Sequence, residues 1–234
     1  MAEPLPESFY ARECLEVAID LVGKHLRHGP VTLRITEVEA YRYPGDTANH
    51  CRFGQTARNA PMWGPPGRAY VYLCYGLHQM LNVVTDSVGR GAAVLVRACE
   101  PVAGLEELRA RRAGLLGPMS LTGPGKVGSA LAVDTSFSGH ELFVAGGLEL
   151  LDGAPAQKLL VAPRVGVDYA APAHRDAPWR IALADTPWVS QRRALRPMLG
   201  SSARFLIEQR IKASAAGELP AARRAATSSR PKRS

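Results

Sequence analysis

What this 234-residue sequence has little of narrows what it can be. It has four cysteines, Cys14, Cys51, Cys74 and Cys99, and no CxxC pair among them. That excludes a zinc ribbon or a disulfide framework, and the four are expected to be free, mostly buried thiols. No apolar run approaches the roughly 20 residues that cross a bilayer as a helix. The opening MAEPLPES carries no basic residue ahead of Arg12 and no apolar stretch, so it lacks both parts of a secretory leader. The expected location is therefore cytoplasmic.

Acidic residues are nearly missing from the last stretch. Residues 191–234 hold 11 of the 29 Lys and Arg but only Glu208 and Glu218 among the 21 acids, a local sum of +9. The overall net charge of +8 therefore leaves residues 1–190 close to neutral, and the basicity belongs to a tail. Its ending, AAGELPAARRAATSSRPKRS, is poor in aromatic and β-branched residues, which predicts disorder with non-specific affinity for nucleic acid. Within the tail, GSSARFLIEQRIKA (200–213) has apolar spacing for a short helix. The expected division is a folded domain over 1–195 and a basic tail over 196–234.

A hydrophobic fraction of 46% with 21% charged residues is ordinary for a globular protein, and 234 residues suffice for one sizeable core. Phe9, Ala11, Leu15, Ala18, Leu21 and Val22 recur at helical spacing, which predicts one amphipathic helix over 8–24, with Ser8 as a possible N-cap. VTLRITEVEAY (31–41) alternates with period two and predicts a strand. After a Gly-, Pro- and Arg-rich loop (42–68), strands are expected at 69–75, 81–85 and 92–98, the last two joined through a turn in DSVGRG. A charged helix is expected near 104–113, and LTGPGKVGSALAV (121–133) should open a second one. Further strands are expected at LFVAG, LELLD, PRVGV and WRIALA. Adjacent short strands with helices at the edges predict an α+β fold, a single domain with a curved, mostly antiparallel sheet flanked by helices.

The strand over 31–41 raises a chemical question. Val31, Leu33, Ile35, Glu37, Glu39 and Tyr41 share one parity, so two carboxylates fall where apolar residues go. Spacing leaves open which of them is functional, and a structural salt bridge is the bland reading for either. Arg97 ends the apolar run AAVLVRA, and a buried ion pair with Glu100 is its bland reading. GPGKVG (123–128) reads as a plain helix start or as backbone N–H groups and a lysine offered to a phosphate.

Taken together, TEVEAY, the DxANH and RN segments of DTANHCRFGQTARN, PGRAYVYLCYG with Asn82, VLVRACEP, LTGPGKVGSALAV, PRVGVDYA and DTPWVS point further. Over about residues 10 to 190, in this order, they resemble the alkyladenine (3-methyladenine) DNA glycosylase family, the kind not built on helix-hairpin-helix motifs.

The resemblance implies an enzyme that flips an alkylated or deaminated purine out of duplex DNA and hydrolyses its N-glycosidic bond. It implies no metal and no cofactor, a monomer, double-stranded DNA as the partner and no membrane. The Glu directly before Ala-Tyr, Glu39, is then the catalytic residue, with Glu37 supporting it. Tyr41, His50 and Tyr72 match the positions that sandwich the flipped base, although alone each tyrosine reads as a core aromatic and His50 as a loop residue or metal ligand. Asn82 matches a polar gate against the guanine 2-amino group, Tyr75 a wedge entering the minor groove, and Arg97 a contact near the flipped nucleotide. Gly123, Gly125 and Lys126 would contact phosphate. Two other readings stay open: a glycosylase/lyase with Lys126 as nucleophile, and a damage-binding protein without turnover.

Overall fold

A computed structural model of the protein describes residues 3–198. The expected helix over 200–213 and nearly all of the basic tail lie outside the described residues. The expected first helix is two, α1 (Glu7–Tyr10) and α2 (Cys14–Leu21). The chain breaks between them because the Glu13 carboxylate caps α2, accepting from the N–H groups of Leu15 and Glu16 at 2.8 and 3.4 Å.

Two strands follow, β1 (His25–His28) and β2 (Val31–Tyr41), then β3 (Ala69–Cys74), β4 (His78–Val84) and β5 (Ala93–Ala103). The helices α3 (Leu105–Arg111) and α4 (Pro124–Leu131) precede β6 (Leu148–Leu151), β7 (Leu159–Ala162), the short α5 (Pro172–Arg175), β8 (Arg180–Leu183) and β9 (Arg196–Pro197). All strand pairs are antiparallel and form one open sheet in the order β3-β4-β5-β2-β8-β7-β9, with β1 bridging β2 and β6. This is the expected α+β arrangement, and the expected β4–β5 hairpin is present.

Two expected strands are absent. In LFVAG only Glu141, just before it, makes an isolated bridge, to Arg68, and the chain then turns through Gly146 and Gly147. In PRVGV the chain bends at Gly166, whose φ of +75° suits glycine, and the Val165 N–H turns inward to a side chain. Conversely β1 and β7 escaped the sequence reading; HLRH carries too little apolar alternation to be read as a strand.

At the centre lies β2, with β5 along one edge and β1 and then β8 along the other. Its expected parity does not persist. Val31, Leu33 and Ile35 enter the main core, but the next core residues are Val38 and Ala40. The change falls where the β2–β5 register is irregular, between Ile35 and Glu37 and again between Glu37 and Val38. On β5 the core residues likewise switch from Cys99 to Val96 and Val94, passing Arg97. Such bulges re-aim side chains. Glu37, Glu39 and Tyr41 therefore leave the core face, which corrects the expectation that Glu39 shares it. Residues 35–40 are nonetheless all buried, because the segment around Trp188 covers the other face; Thr36 Oγ1 donates to the Trp188 carbonyl at 2.5 Å.

Helix α4 lies against β4 and β5. A Cβ on Gly128 would collide with the Gln79 backbone carbonyl on β4, so this contact requires glycine. Gly128→Ala is expected to lower stability by about 1–3 kcal/mol, the usual cost of overpacking. Urea unfolding at equilibrium measures it, and an unchanged midpoint would contradict this packing.

Candidate functional site

A cavity of about 530 Å³ opens on the face to which the bulges turn β2. Clefts of this size commonly hold small ligands. Seven of the expected site residues line it: Glu39, Tyr41, His50, Tyr72, Tyr75, Asn82 and Arg97. Gly123, Gly125 and Lys126 do not; of their turn only Pro124, the first residue of α4, reaches the cavity.

Glu39 is fully buried, and three donors converge on its carboxylate. The Tyr41 hydroxyl donates to Oε2 at 2.9 Å, the Val165 N–H donates to Oε1 at 2.8 Å, and an Arg97 guanidinium nitrogen lies 3.2 Å from Oε1. Burial above all, and then the neighbouring Glu39 charge, pushes the Tyr41 hydroxyl well above its ordinary pKa, so it stays protonated and serves as the donor. A carboxylate has about four acceptor sites. The three contacts leave capacity on Oε2.

Glu37 is more heavily engaged. Oε1 accepts from Arg180 at 2.9 Å and from the Ser190 hydroxyl at 2.9 Å, and lies 3.3 Å from Arg97 Nε; Oε2 accepts from the Ser190 N–H at 2.5 Å. It is fully buried and does not line the cavity. Arg97 therefore bridges the two carboxylates. Glu100, the partner expected for it as the bland alternative, pairs with Arg34 at 2.5 Å.

The aromatic residues form walls. The His50 ring meets Tyr72 edge-on, with centroids 4.7 Å apart, and Tyr70 backs Tyr72 at 5.6 Å. Desolvation against these walls, followed by the cations Arg58 and Arg52, lowers the His50 pKa, which favours the neutral ring. Among the described residues, no group of three or more His, Cys, Asp or Glu is placed to hold a metal, so the metal-ligand reading of His50 finds no partners. Tyr75 stands at the tip of the β3–β4 hairpin, 93% exposed, with a φ of +51° that a non-glycine residue seldom adopts. Asn82 spends both amide hydrogens on the carbonyls of Tyr70 and Met80, at 3.0 and 3.1 Å, leaving its carbonyl oxygen as the free end of the amide.

The loop that presents His50 is held by residues the sequence reading quoted as motif letters without assigning them a role. Arg164 and Asp46 form a buried ion pair at 2.5 and 2.8 Å; Arg164 also donates to the Ala40 carbonyl and packs its guanidinium over the rings of Tyr41 and Trp179. Asn49 donates to the carbonyls of Arg42 and Gly91 and accepts from Cys51 N–H. Asn59 donates to the His50 and Gly54 carbonyls, both at 3.0 Å. Tyr169, a further aromatic on the cavity, ties in through its hydroxyl to the Ala48 carbonyl at 2.8 Å. The DxANH and RN letters were the available signal for Asp46, Asn49 and Asn59.

Removing one member of a buried ion pair strands the other's charge. Arg164→Met is therefore expected to cost about 3–5 kcal/mol of unfolding free energy. Denaturant titration checks it, and a loss under about 1 kcal/mol, the range of exposed pairs, would show that the pair does not hold the loop.

Comparison with known proteins then supplies a family. Residues 8–187 match the model of the methylpurine-DNA glycosylase family. A Nitrosococcus oceani protein provisionally named 3-methyladenine DNA glycosylase is 60% identical over 197 residues, covering 84% of this chain and 98% of its own. The Arabidopsis thaliana DNA-3-methyladenine glycosylase is 55% identical over 198 residues, 83% of this chain and 77% of its own. A Methanocella arvoryzae protein, also provisionally named 3-methyladenine DNA glycosylase, is 44% identical over 195 residues, 80% of this chain and 96% of its own. With its motifs in order and its match spanning most of its length, the chain belongs to the methylpurine-DNA glycosylase family.

Proposed function

We propose that the protein is a DNA repair glycosylase that extrudes an alkylated or deaminated purine from duplex DNA and hydrolyses its N-glycosidic bond, leaving an abasic site. The observation that carries this reading is Glu39: a buried carboxylate at an aromatic-walled cavity, with three donors on it and acceptor capacity to spare. The names of the relatives agree with it.

In this reading the base must leave the stack because the bond to C1′ is inaccessible within a duplex, and extrusion costs a few kcal/mol, least for a weakly paired, damaged base. Tyr75, exposed beside the cavity, enters the minor groove and fills the gap. The extruded base lies between Tyr41, His50 and Tyr72, each ring adding to a stacking contribution of about 1–3 kcal/mol per base. The water on Glu39 Oε2 loses a proton to the carboxylate as its oxygen bonds to C1′, while the electron pair of the glycosidic bond departs with the purine. A purine methylated at N3 or N7 is cationic and leaves neutral, whereas a neutral purine such as hypoxanthine leaves as an anion and takes a proton from water. Positive charge building on the sugar faces the carboxylate, as in glycoside hydrolysis. Asn82 places a fixed polar edge against the base and so discriminates among purines.

Residues 1–195 form the catalytic unit in this reading, consistent with a family match ending at 187, and the basic residues 196–234 add non-specific DNA affinity. The protein acts as a monomer. Among the described residues no helix is long and apolar enough to cross a membrane. Lys126 is off the cavity, which favours direct hydrolysis over the lyase reading.

Incubation with methylated duplex DNA is expected to release free 3-methyladenine and to leave abasic sites, with no protein–DNA adduct on borohydride treatment. A trapped adduct would favour the lyase. Tight binding without any base release would make the protein a damage-binding factor.

A further inference from the structure

The rim of the cavity carries a cluster that the catalytic reading leaves unused. Phe53 is 88% exposed, more than any other large hydrophobic side chain among the described residues except Tyr75. The Arg52 guanidinium lies 4.6 Å from the Phe53 ring centroid and 5.2 Å from that of Tyr169. Tyr169 is itself 60% exposed and lines the cavity. One arginine is thus flanked by two solvent-facing rings, and one of those rings is cavity wall.

Three features indicate that this cluster is presented rather than loosely displayed. Arg52 is anchored by donating to the Asn49 carbonyl at 3.1 Å, and among the described residues no ion pair joins it to a carboxylate. The turn that carries Phe53 is closed on both sides, by Gly54 N–H to the Cys51 carbonyl at 2.8 Å and by Asn59 Nδ2 to the His50 and Gly54 carbonyls. Tyr169 is pinned by its hydroxyl to the Ala48 carbonyl. Arg52 and Phe53 follow His50 by two and three residues, so they lie within about 10 Å of the cavity wall along the chain, the reach of one further nucleotide.

An oriented guanidinium without a carboxylate suits a phosphodiester, which it meets with a planar fork of donors. An exposed ring beside it suits the apolar face of a deoxyribose, which every nucleotide presents alike. We propose that Arg52, Phe53 and Tyr169 form a second contact for the DNA strand being read, taking the nucleotide next to the one in the cavity: Arg52 pairs with its phosphodiester and Phe53 packs on its deoxyribose. This rests on the reading of the protein as a DNA glycosylase. It separates two jobs, with the cavity judging one base and the rim gripping the neighbour by contacts that do not depend on sequence.

The test is a fluorescence-anisotropy titration of the full chain against a hypoxanthine-containing duplex at several salt concentrations. Phe53→Ala is expected to weaken binding about tenfold without altering the salt dependence, and Phe53→Trp to restore it. Arg52→Ala is expected to reduce the slope of log Kd against log salt by about one, the signature of one lost phosphate contact. Both side chains are on the surface, so unfolding midpoints matching the wild type confirm that the variants are folded. A Phe53→Ala variant that binds as tightly as the wild type, or an Arg52→Ala variant with an unchanged slope, overturns the proposal. Wild-type protein that binds this duplex but releases base neither from it nor from methylated DNA would sink the glycosylase reading and leave the rim contact standing; wild-type protein that binds no DNA would sink both.

Discussion

Between Ile35 and Val38, β2 falls out of step with β5, and both strands change the face on which their core residues lie. Without that change, Glu37 and Glu39 would point with Ile35 into the apolar core, where each bare charge would cost several kcal/mol. With it, the strand serves two masters: Val31, Leu33 and Ile35, then Val38 and Ala40, keep the core closed, while Glu39 and Tyr41 turn to the cavity. The residues at the irregularity are themselves tied together. Glu37 and Arg97 sit on its two strands, and with Arg180, Ser190 and Glu39 they form a buried network in which two carboxylates face two guanidiniums. Arg97, reaching on to Glu39, fixes the carboxylate that opens on the cavity.

A second tier of polar contacts holds the walls. Asp46, Asn49 and Asn59 together bond the backbone of the 42–68 loop to itself, to Gly91 just ahead of β5 and to Arg164, over which Tyr41 and Trp179 pack. The side chains of Asp46, Asn49 and Asn59 are buried with their polar atoms paired, and such networks make one arrangement unique. The groups assigned chemistry are the incompletely satisfied ones: Glu39 Oε2, the carbonyl end of Asn82, the open ring of Tyr75 and the unpaired cation of Arg52. A site builds its rigidity from saturated polar groups and keeps its function in the unsaturated ones.

Much of this was legible in the sequence, though unevenly. Period-two alternation located β2, and Gly- and Pro-punctuated runs located β3, β4 and β5, because long strands with one core face carry a strong pattern. The short β1 and β7 gave too little pattern, and LFVAG and PRVGV looked like strands because backbone turning at glycines is a local choice that apolar composition does not report. The family motifs brought seven side chains to one cavity, yet periodicity alone misassigned the face of Glu39: a bulge inserts a parity change that no alternation count contains. Nor could spacing separate Glu37 from Glu39. That distinction lies in partners such as Arg180 and Ser190, about 150 residues away in sequence and adjacent only in the fold. Arg164 and Asp46 were hidden for the same reason.

The central claim is that the two carboxylates of β2 have divided their roles, Glu37 as a buried anchor off the cavity and Glu39 as the group that activates water. Single-turnover release of 3-methyladenine by folded Glu39→Gln and Glu37→Gln, alongside their affinity for the duplex, tests it most directly. The account predicts that Glu39→Gln binds the duplex but slows release by at least about a hundredfold, as loss of a general base does. Glu37→Gln should unfold more readily while its folded protein still releases base. Wild-type release by Glu39→Gln, with release lost instead in a folded Glu37→Gln, would contradict it.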